Sequence, residues 1–252
     1  MLLVEDPAVD LATPSGPMRT YVYRPVAPKD TRPQSERYPG VVLYSEIFQR
    51  TPPIHRMAML VAGHGFLVAV PEIFHELEPA GTALAYDKPG TDAGNRHKKE
   101  KPIAAFDADA RAVLDWLAAS PHCTGKLGAL GICIGGHLAF RAALQPDVRA
   151  AVCCYATDLQ QGSLGMDGDD SLARAGEIRG ELLLVWGRQD PHIPDEARAL
   201  IQRRLVQAGC TFTWHEHNAQ HAFLRDEGAR YDPELARTTY GEIVNLFRRT
   251  LA

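Results

Sequence analysis

The sequence predicts an α/β fold in which helices cover both faces of a mostly parallel sheet. Apolar runs with the length of buried strands alternate along the chain with segments whose apolar residues recur at helical spacing. The 252 residues fit one large α/β domain, and no linker-like segment divides them. We therefore expect residues 1–252 to form a single domain, with its chemistry beyond the carboxyl ends of the strands.

The first third of the chain contains three predicted strands and one helix. Met18–Pro25 alternates and is rich in aromatic and β-branched residues, which predicts an edge strand closed by proline. A polar, proline-containing loop is predicted over 27–38. Gly40–Ser45 and Phe66–Pro71 are continuous apolar runs, as expected of strands covered on both faces. Between them, Ile54–Ala62 carries apolar residues at helical spacing.

The stretch from Glu72 to Lys101 is predicted to leave the core. It contains several glycine and proline residues, and loops of this length in a compact domain are usually functional or mobile. We expect an excursion or a lid here rather than a core element.

Strands and helices alternate regularly after this excursion. A strong helix is predicted over Ala104–Ala118, because apolar residues line one face. The later strands are predicted at 126–130, 148–155, 181–187 and 210–215, and the later helices at 137–144, 194–208 and 233–249.

Composition and charge argue against several kinds of partner. The net charge is −4 and no long basic tract is present, so we expect neither nucleic acid nor an anionic membrane surface as a partner. No apolar run approaches the roughly 20 residues of a membrane helix, and the N-terminus lacks the features of a signal peptide. The five cysteines include no CxxC pair, which favours reduced thiols and a cytoplasmic protein.

The junction Gly131–Gly136 reads Gly-Ile-Cys-Ile-Gly-Gly. It matches the strand–turn–helix elbow G-x-S-x-G, with a thiol in place of the hydroxyl. Glycines at 131, 135 and 136 would remove Cβ atoms from a crowded turn. In the alternative interpretation, the two adjacent glycines open a tightly packed helix and Cys133 is a small core residue.

Two later strand ends supply an acid and a base. Asp190 follows the predicted strand 181–187, and His221 follows the strand 210–215. The order nucleophile, acid, histidine is the order of α/β-hydrolases. We predict that His221 activates the Cys133 thiol and that Asp190 fixes the imidazole tautomer. Taken alone, Asp190 is equally typical of a turn before proline.

Other histidines offer competing interpretations. His215 and His217 share one face of a predicted strand and, with His221, could be metal ligands. No carboxylate or cysteine lies at a companion spacing, so a metal site is disfavoured. His192 could replace His221 only by breaking the chain order, and His137 is expected to be a packing or surface residue.

With these residues assembled, the chain resembles the dienelactone hydrolase family of α/β-hydrolases, roughly from Met18 to Phe247. The most specific matches are Gly131–Gly136, Glu46–Phe48, Gly187–Asp190 and Gln220–Phe223. The resemblance implies an α/β-hydrolase fold and a triad of Cys133, His221 and Asp190 that works without a cofactor or a metal.

The resemblance also implies a role for Glu46. In the family, a glutamate at this position contacts the resting cysteine and helps to deprotonate it when substrate arrives. The alternative is that Glu46 is simply a satisfied polar residue at the end of a strand.

Further site residues are implied by the same resemblance. The oxyanion hole would consist of the backbone N–H groups of Ile134 and Ile47. Arg225 lies four residues after His221, at the position of an arginine that holds a substrate carboxylate in the type enzyme. Arg96 is the candidate for a second such arginine, in a segment that is longer here.

We therefore predict a cysteine hydrolase that acts on a small ester or lactone, with or without a carboxylate, as a monomer or homodimer. Within enzymes, the alternative is a broader carboxylesterase or thioesterase. From another class, the alternative is a non-catalytic α/β-hydrolase scaffold that binds a small ligand. The presence of nucleophile, acid and histidine argues against the scaffold.

Overall fold

One mixed β-sheet organises the part of the chain that the computed structural model describes, residues 2–26 and 37–251. Most of the loop predicted over 27–38 lies outside these residues. The strands of the sheet are β1 (Leu2–Thr13), β2 (Gly16–Val26), β3 (Tyr38–Tyr44), β4 (Leu67–Pro71), β5 (Cys123–Ile132), β6 (Val148–Cys154), β7 (Glu181–Gly187) and β8 (Phe212–His217).

The strand order is β1-β2-β4-β3-β5-β6-β7-β8. β1 and β2 form an antiparallel pair, and β2 is antiparallel to β4. Every pairing from β4 to β8 is parallel. The carboxyl ends of these strands therefore meet at one edge, where ligands bind in sheets of this kind.

Helices pack on both faces of this sheet. They are α1 (Pro52–Gly63), α2 (Lys88–Glu100), α3 (Ile103–Ala119), α4 (Ile134–Ala142), α5 (Asp195–Gln207) and α6 (Pro233–Leu251). Gly128 of β5 packs against Phe247 and Leu251 of α6, whereas Gly131 packs against the start of α4. Residues three apart on a strand face opposite sides, so α4 and α6 cover opposite faces. The predicted α/β architecture is confirmed.

The prediction that Met18–Pro25 forms an edge strand is wrong. The strand is β2, which lies between β1 and β4, and the strands at the two edges of the described sheet are β1 and β8. β1 was not predicted because acidic residues interrupt its apolar pattern. Two of them pair with arginines of β2: Asp10 with Arg19 at 2.9 Å and Asp6 with Arg24 at 2.7 Å.

The predicted excursion from Glu72 to Lys101 contains a helix that sequence patterning missed. α2 has few apolar residues, so it shows no apolar stripe. The Asp87 side chain caps it, accepting a hydrogen bond from the Gly90 N–H at 2.8 Å. On α2, Gly94 packs against Ile47, and a Cβ there would lie 2.5 Å from the Ile47 carbonyl oxygen. The excursion thus borders the carboxyl edge of the sheet.

A buried charged cluster anchors this excursion to α3. Lys101 Nζ donates to Glu76 Oε2 at 2.9 Å and to the Ile73 carbonyl at 3.0 Å, and it also bonds Asp109 of α3. His75 Nε2 lies 3.1 Å from the same Asp109 carboxylate. His75, Glu76 and Asp109 are close enough to hold a metal ion. Because the Lys101 ammonium already supplies a positive charge there, we interpret the cluster as an ion-pair anchor.

None of the helices in residues 2–26 and 37–251 combines the length and the apolar character needed to cross a bilayer.

Candidate active site

Strained backbone concentrates at the carboxyl ends of the parallel strands. Among the described residues, the non-glycine residues with positive φ are Gln49, Cys133, Tyr155, Asp158 and Ala222. They follow β3, β5, β6 and β8 in the chain. Such strain clusters at functional sites, so this edge is the candidate active site.

Cys133 occupies the sharp turn between β5 and α4, with φ +60° and ψ −126°. Its N–H donates to the Cys154 carbonyl at 3.1 Å, which ties the turn to β6. The neighbouring glycines are necessary, because a Cβ at Gly131 would lie 1.8 Å from the Gly135 oxygen and one at Gly135 would lie 2.3 Å from the Tyr44 oxygen. The thiol is half-buried and lines a cavity, which disagrees with the core interpretation of this cysteine.

Asp190 and His221 extend from neighbouring loops after β7 and β8. The Gln189 N–H donates to the Ala219 carbonyl at 2.9 Å and fastens one loop to the other. His221 Nδ1 lies 2.6 Å from Asp190 Oδ2, and both side chains are buried. The second oxygen, Asp190 Oδ1, accepts from the His192 N–H at 2.9 Å. Both carboxylate oxygens of Asp190 are therefore hydrogen-bonded, and Asp190 fixes the orientation of the His221 imidazole through Nδ1.

His221 is set up to carry a positive charge beside the Cys133 thiol. Burial alone would lower its pKa, but the negative charge of Cys133, the hydrogen bonds to Asp190 and Cys133 and the charge of Asp190 outweigh burial and raise the pKa to about 10. The edges of Tyr155 and His192 flank the ring, with centroids 5.1 and 4.8 Å away. A protonated imidazole at this place would stabilise a thiolate whenever one forms on the neighbouring sulfur.

Glu46 lies at the end of β3 in the same cavity wall. Its Oε2 accepts a hydrogen bond from the Tyr86 hydroxyl at 3.2 Å, and its Oε1 lies 3.6 Å from Arg225 Nη1. Burial raises the pKa of Glu46, and the charges of Arg225 and His221 offset this only in part. Within the described residues no hydrogen bond joins Glu46 to Cys133.

Ile47 lies in the cleft wall, whereas Ile134 is buried directly after Cys133 and is not part of that wall. Ile134 is the first residue of α4, so its N–H has no acceptor in the helix and points from its positive end. Ile47 follows β3 and lies in the cavity wall. Neither N–H donates to a backbone carbonyl within residues 2–26 and 37–251. Both remain available to bind an oxyanion.

A cleft of about 640 Å³ brings most of the predicted residues together. Its wall includes Glu46, Ile47, Cys133, His221 and Arg225. Asp190 is buried behind His221. Arg96 does not line this cleft: its side chain is 57% exposed on α2 and lies 3.7 Å from Glu100.

The structure also places the competing histidines. The rings of His215 and His217 stack on β8 with centroids 6.1 Å apart. Among the described residues they do not form a metal-ligating group with His221. His137 is fully buried, with its Nε2 3.1 Å from Asp169, and so it is a packing residue rather than a surface one.

Several polar side chains of the cleft were not predicted, and three of them are Tyr86, Lys98 and Arg230. Tyr86 and Lys98 belong to the excursion, and Arg230 lies in the loop before α6. None of the three falls in a motif, so only the tertiary arrangement could identify them.

The family model and the related sequences point to one family. The dienelactone hydrolase family model matches residues 18–251. A putative carboxymethylenebutenolidase of Saccharomyces cerevisiae is 38% identical, over 99% of this chain and 93% of that protein. A carboxymethylenebutenolidase of Pseudomonas sp. (strain P51) is 26% identical, over 86% of this chain and 87% of that protein.

Solved structures support the fold. A putative dienelactone hydrolase from Klebsiella pneumoniae superposes with a TM-score of 0.83 at 22% identity, over 98% of this chain and 99% of that one. A dienelactone hydrolase-like promiscuous phosphotriesterase from metagenomic libraries superposes with a TM-score of 0.78 at 21% identity, over 99% of both chains. The predicted α/β-hydrolase fold is confirmed.

Proposed function

Because the chain belongs to the dienelactone hydrolase family, we propose that it hydrolyses small esters or lactones with Cys133 as the nucleophile. The observation that carries the proposal is the spatial arrangement of a thiol, an imidazole and a carboxylate. The Cys133 thiol lies on a strained elbow, His221 lies in the wall of the same cleft, and Asp190 Oδ2 holds His221 Nδ1 at 2.6 Å. The relatives named carboxymethylenebutenolidase support a lactone or an ester as the substrate.

The first half of the reaction forms a thioester. The Cys133 thiolate attacks the substrate carbonyl carbon, and the carbonyl oxygen becomes an oxyanion that binds the N–H groups of Ile47 and Ile134. When the intermediate collapses, the bond to the leaving oxygen breaks and that oxygen takes the proton of the His221 imidazolium. In a lactone, the leaving oxygen stays attached to the acyl chain.

The second half releases the acid. His221, now neutral, accepts a proton from water while the water oxygen attacks the thioester carbonyl. Collapse of this second intermediate breaks the carbon–sulfur bond. The carboxylic acid leaves and ionises, and the Cys133 thiolate is again paired with protonated His221.

Glu46 is proposed to assist the thiol, as the family resemblance implies. In the free protein its hydrogen bond goes to Tyr86 and its charge faces Arg225. Either contact can hold the carboxylate until substrate enters. A direct contact of Arg225 or Arg96 with substrate stays a prediction.

A thiolate mechanism requires a reduced cysteine. This requirement supports the proposed cytoplasmic location, where thiols are kept reduced. The monomeric or homodimeric state likewise stays a prediction.

A substrate panel tests the proposed function. Purified protein is given a dienelactone, a neutral 4-nitrophenyl ester and an acyl thioester, and the release of product is followed. We expect turnover of the lactone and the aryl ester, because both present an activated carbonyl to the thiolate. Preference for the thioester would favour the thioesterase alternative, and no turnover by folded protein would favour the scaffold.

The activity is expected to persist to high pH and then fall. Since the pKa of His221 is raised from 6.5 to about 10, the imidazolium is present below about pH 10 and is lost above it. The leaving oxygen of an alkyl ester needs that proton, so kcat/KM should decline as His221 deprotonates. The measurement is a pH profile of kcat/KM for an alkyl ester. A rise through pH 6.5 followed by a plateau beyond pH 10 would contradict the raised pKa of His221.

A further inference from the structure

Two polar side chains in the wall of the cleft each have an atom without a partner. Thr157 and Gln160 both belong to this wall and follow β6 in the chain. Thr157 Oγ1 and Gln160 Oε1 are shielded from bulk solvent, and among the described residues neither takes part in a hydrogen bond. Buried polar atoms in proteins are nearly always hydrogen-bonded, so a binding partner is expected for both.

Thr157 lies one hydrogen bond away from the nucleophile. Its N–H donates to the Cys133 carbonyl at 3.3 Å. Its own carbonyl oxygen lies 3.0 Å from His137 Nδ1, which donates because a carbonyl can only accept. Since both backbone groups are used, the place of Thr157 in the cleft wall is fixed. The side chain can still rotate about the Cα–Cβ bond to direct its hydroxyl to a ligand.

Gln160 is attached to the loop that follows the acid of the triad. Its Nε2 donates to the His192 carbonyl at 3.3 Å, and the His192 ring lies 4.8 Å from the His221 ring. This bond also identifies the two ends of the amide, because the opposite orientation would place Oε1 against another acceptor. The unpartnered atom of Gln160 is therefore an acceptor, and only a hydrogen-bond donor can satisfy it.

The neighbouring charged residues do not supply that donor. Asp158 lies between Thr157 and Gln160 in the chain, and its Oδ2 accepts from Lys98 Nζ at 2.7 Å. The Asp158 carbonyl accepts from the Gln161 N–H at 3.1 Å. The charges of this segment thus pair with each other, and the two unpartnered atoms belong to uncharged side chains.

A hydroxyl group is the ligand that suits these two atoms. It can donate to Gln160 Oε1 and either accept from or donate to the Thr157 hydroxyl. A carboxylate has no proton to donate, and an ammonium group would be repelled by Arg225 and Arg230 in the same wall. The cleft volume of about 640 Å³ is typical of pockets for drug-sized ligands and leaves room for a substituent beside the reacting carbonyl.

We propose that Thr157 and Gln160 form a subsite for an uncharged hydroxyl group near the scissile ester bond, so that the protein prefers hydroxylated esters and lactones. The inference rests on the proposed hydrolase function and narrows its substrate class. The two residues select the substrate and take no part in the breaking of bonds.

Matched pairs of esters test this subsite. Each pair replaces one hydroxyl by a methyl group: 2-hydroxyethyl butyrate with propyl butyrate, 3-hydroxypropyl butyrate with butyl butyrate, and both enantiomers of methyl 3-hydroxybutanoate with methyl 3-methylbutanoate. Release of acid is followed at constant pH. The ratio of kcat/KM for the hydroxyl ester to that for the methyl ester is divided by the same ratio for hydrolysis by hydroxide, which removes the intrinsic effect of the hydroxyl.

The variants are Thr157→Val, Gln160→Met and the control Thr239→Val. Valine has the shape of threonine and removes only the hydroxyl. Thr239 is a matched control because it is also buried with an unpartnered Oγ1 in the described chain, but it lies on α6 outside the cleft wall. Removing an unpartnered buried hydroxyl should not lower the midpoint of thermal unfolding in either threonine variant.

We expect the wild-type protein to prefer the hydroxylated ester in at least one pair. Thr157→Val and Gln160→Met should each lower that preference about three- to tenfold, as loss of a hydrogen bond between uncharged groups does. Thr239→Val should keep the full preference.

Three results would overturn the inference: no hydroxyl preference in any pair, an unchanged preference in Thr157→Val or in Gln160→Met, or an equal loss in Thr239→Val. Each of them leaves the hydrolase function standing as long as the methyl esters are turned over. Absence of turnover of every ester by folded wild-type protein would instead contradict the proposed function itself, and the subsite with it.

Discussion

Replacing Cys133 with alanine is expected to reduce ester turnover by about 10⁴-fold or more. The substitution removes the atom that forms the thioester, and neither His221 nor Asp190 can replace it. Alanine adds no atom to the crowded elbow, where Gly131 and Gly135 already leave the minimum space. The fold should therefore survive, and thermal unfolding should show a midpoint near that of the wild-type protein.

The matched control for this variant is Cys210→Ala. Cys210 is also half-buried, but it lies outside the wall of the cleft and its thiol donates to the Ala175 carbonyl. Initial rates with a 4-nitrophenyl ester are compared for both variants. Full activity in Cys133→Ala, or an equal loss in Cys210→Ala, would disagree with a nucleophilic role for Cys133.

Replacing Asp190 with asparagine is expected to lower kcat by about 10³- to 10⁴-fold. The carboxylate accepts the Nδ1–H of His221 at 2.6 Å, whereas an amide can offer a donor there and favour the other tautomer. The pKa of His221 should also fall from about 10, because Asp190 contributes to raising it through its hydrogen bond and its charge. The alkaline limb of the pH profile should move to lower pH in this variant.

Asp167→Asn serves as the control for Asp190→Asn, since Asp167 is exposed and lies outside the cleft wall. Both variants are measured for kcat, for the pH profile and for thermal unfolding. Retention of most of the activity by a folded Asp190→Asn protein would show that His221 works without its acid. A loss of activity explained by unfolding would appear in the melting curve and not in the pH profile.

Strands, the turn at the nucleophile and the order of the site residues could be predicted where the local sequence matches a known structural pattern. Buried parallel strands such as β3 and β7 read as continuous apolar runs because both of their faces are covered. The turn at Cys133 could be predicted because its glycines relieve steric crowding between residues that lie only a few positions apart in the chain. The order of Cys133, Asp190 and His221 predicted that distant strand ends would converge.

Patterning failed where stability depends on tertiary contacts. β1 pairs acidic residues with arginines of its neighbour, and α2 is held by a side-chain cap and a close approach to Ile47. Neither feature produces a periodic pattern of apolar residues in the sequence. The same reason hides Arg230, which joins the wall of the cleft only through the tertiary arrangement. Such a property exists only in the folded chain.

During turnover, the acyl group is expected to be carried on the sulfur of Cys133. The most direct measurement is rapid acid quench of the wild-type protein during turnover of a 4-nitrophenyl ester, followed by mass spectrometry of the peptide that contains Cys133. We predict that this peptide gains the mass of the acyl group and that hydroxylamine removes it, as it does for a thioester. An acyl group on another residue, or an unmodified Cys133 peptide in an enzyme with a measured burst of 4-nitrophenol, would contradict the nucleophilic role of Cys133.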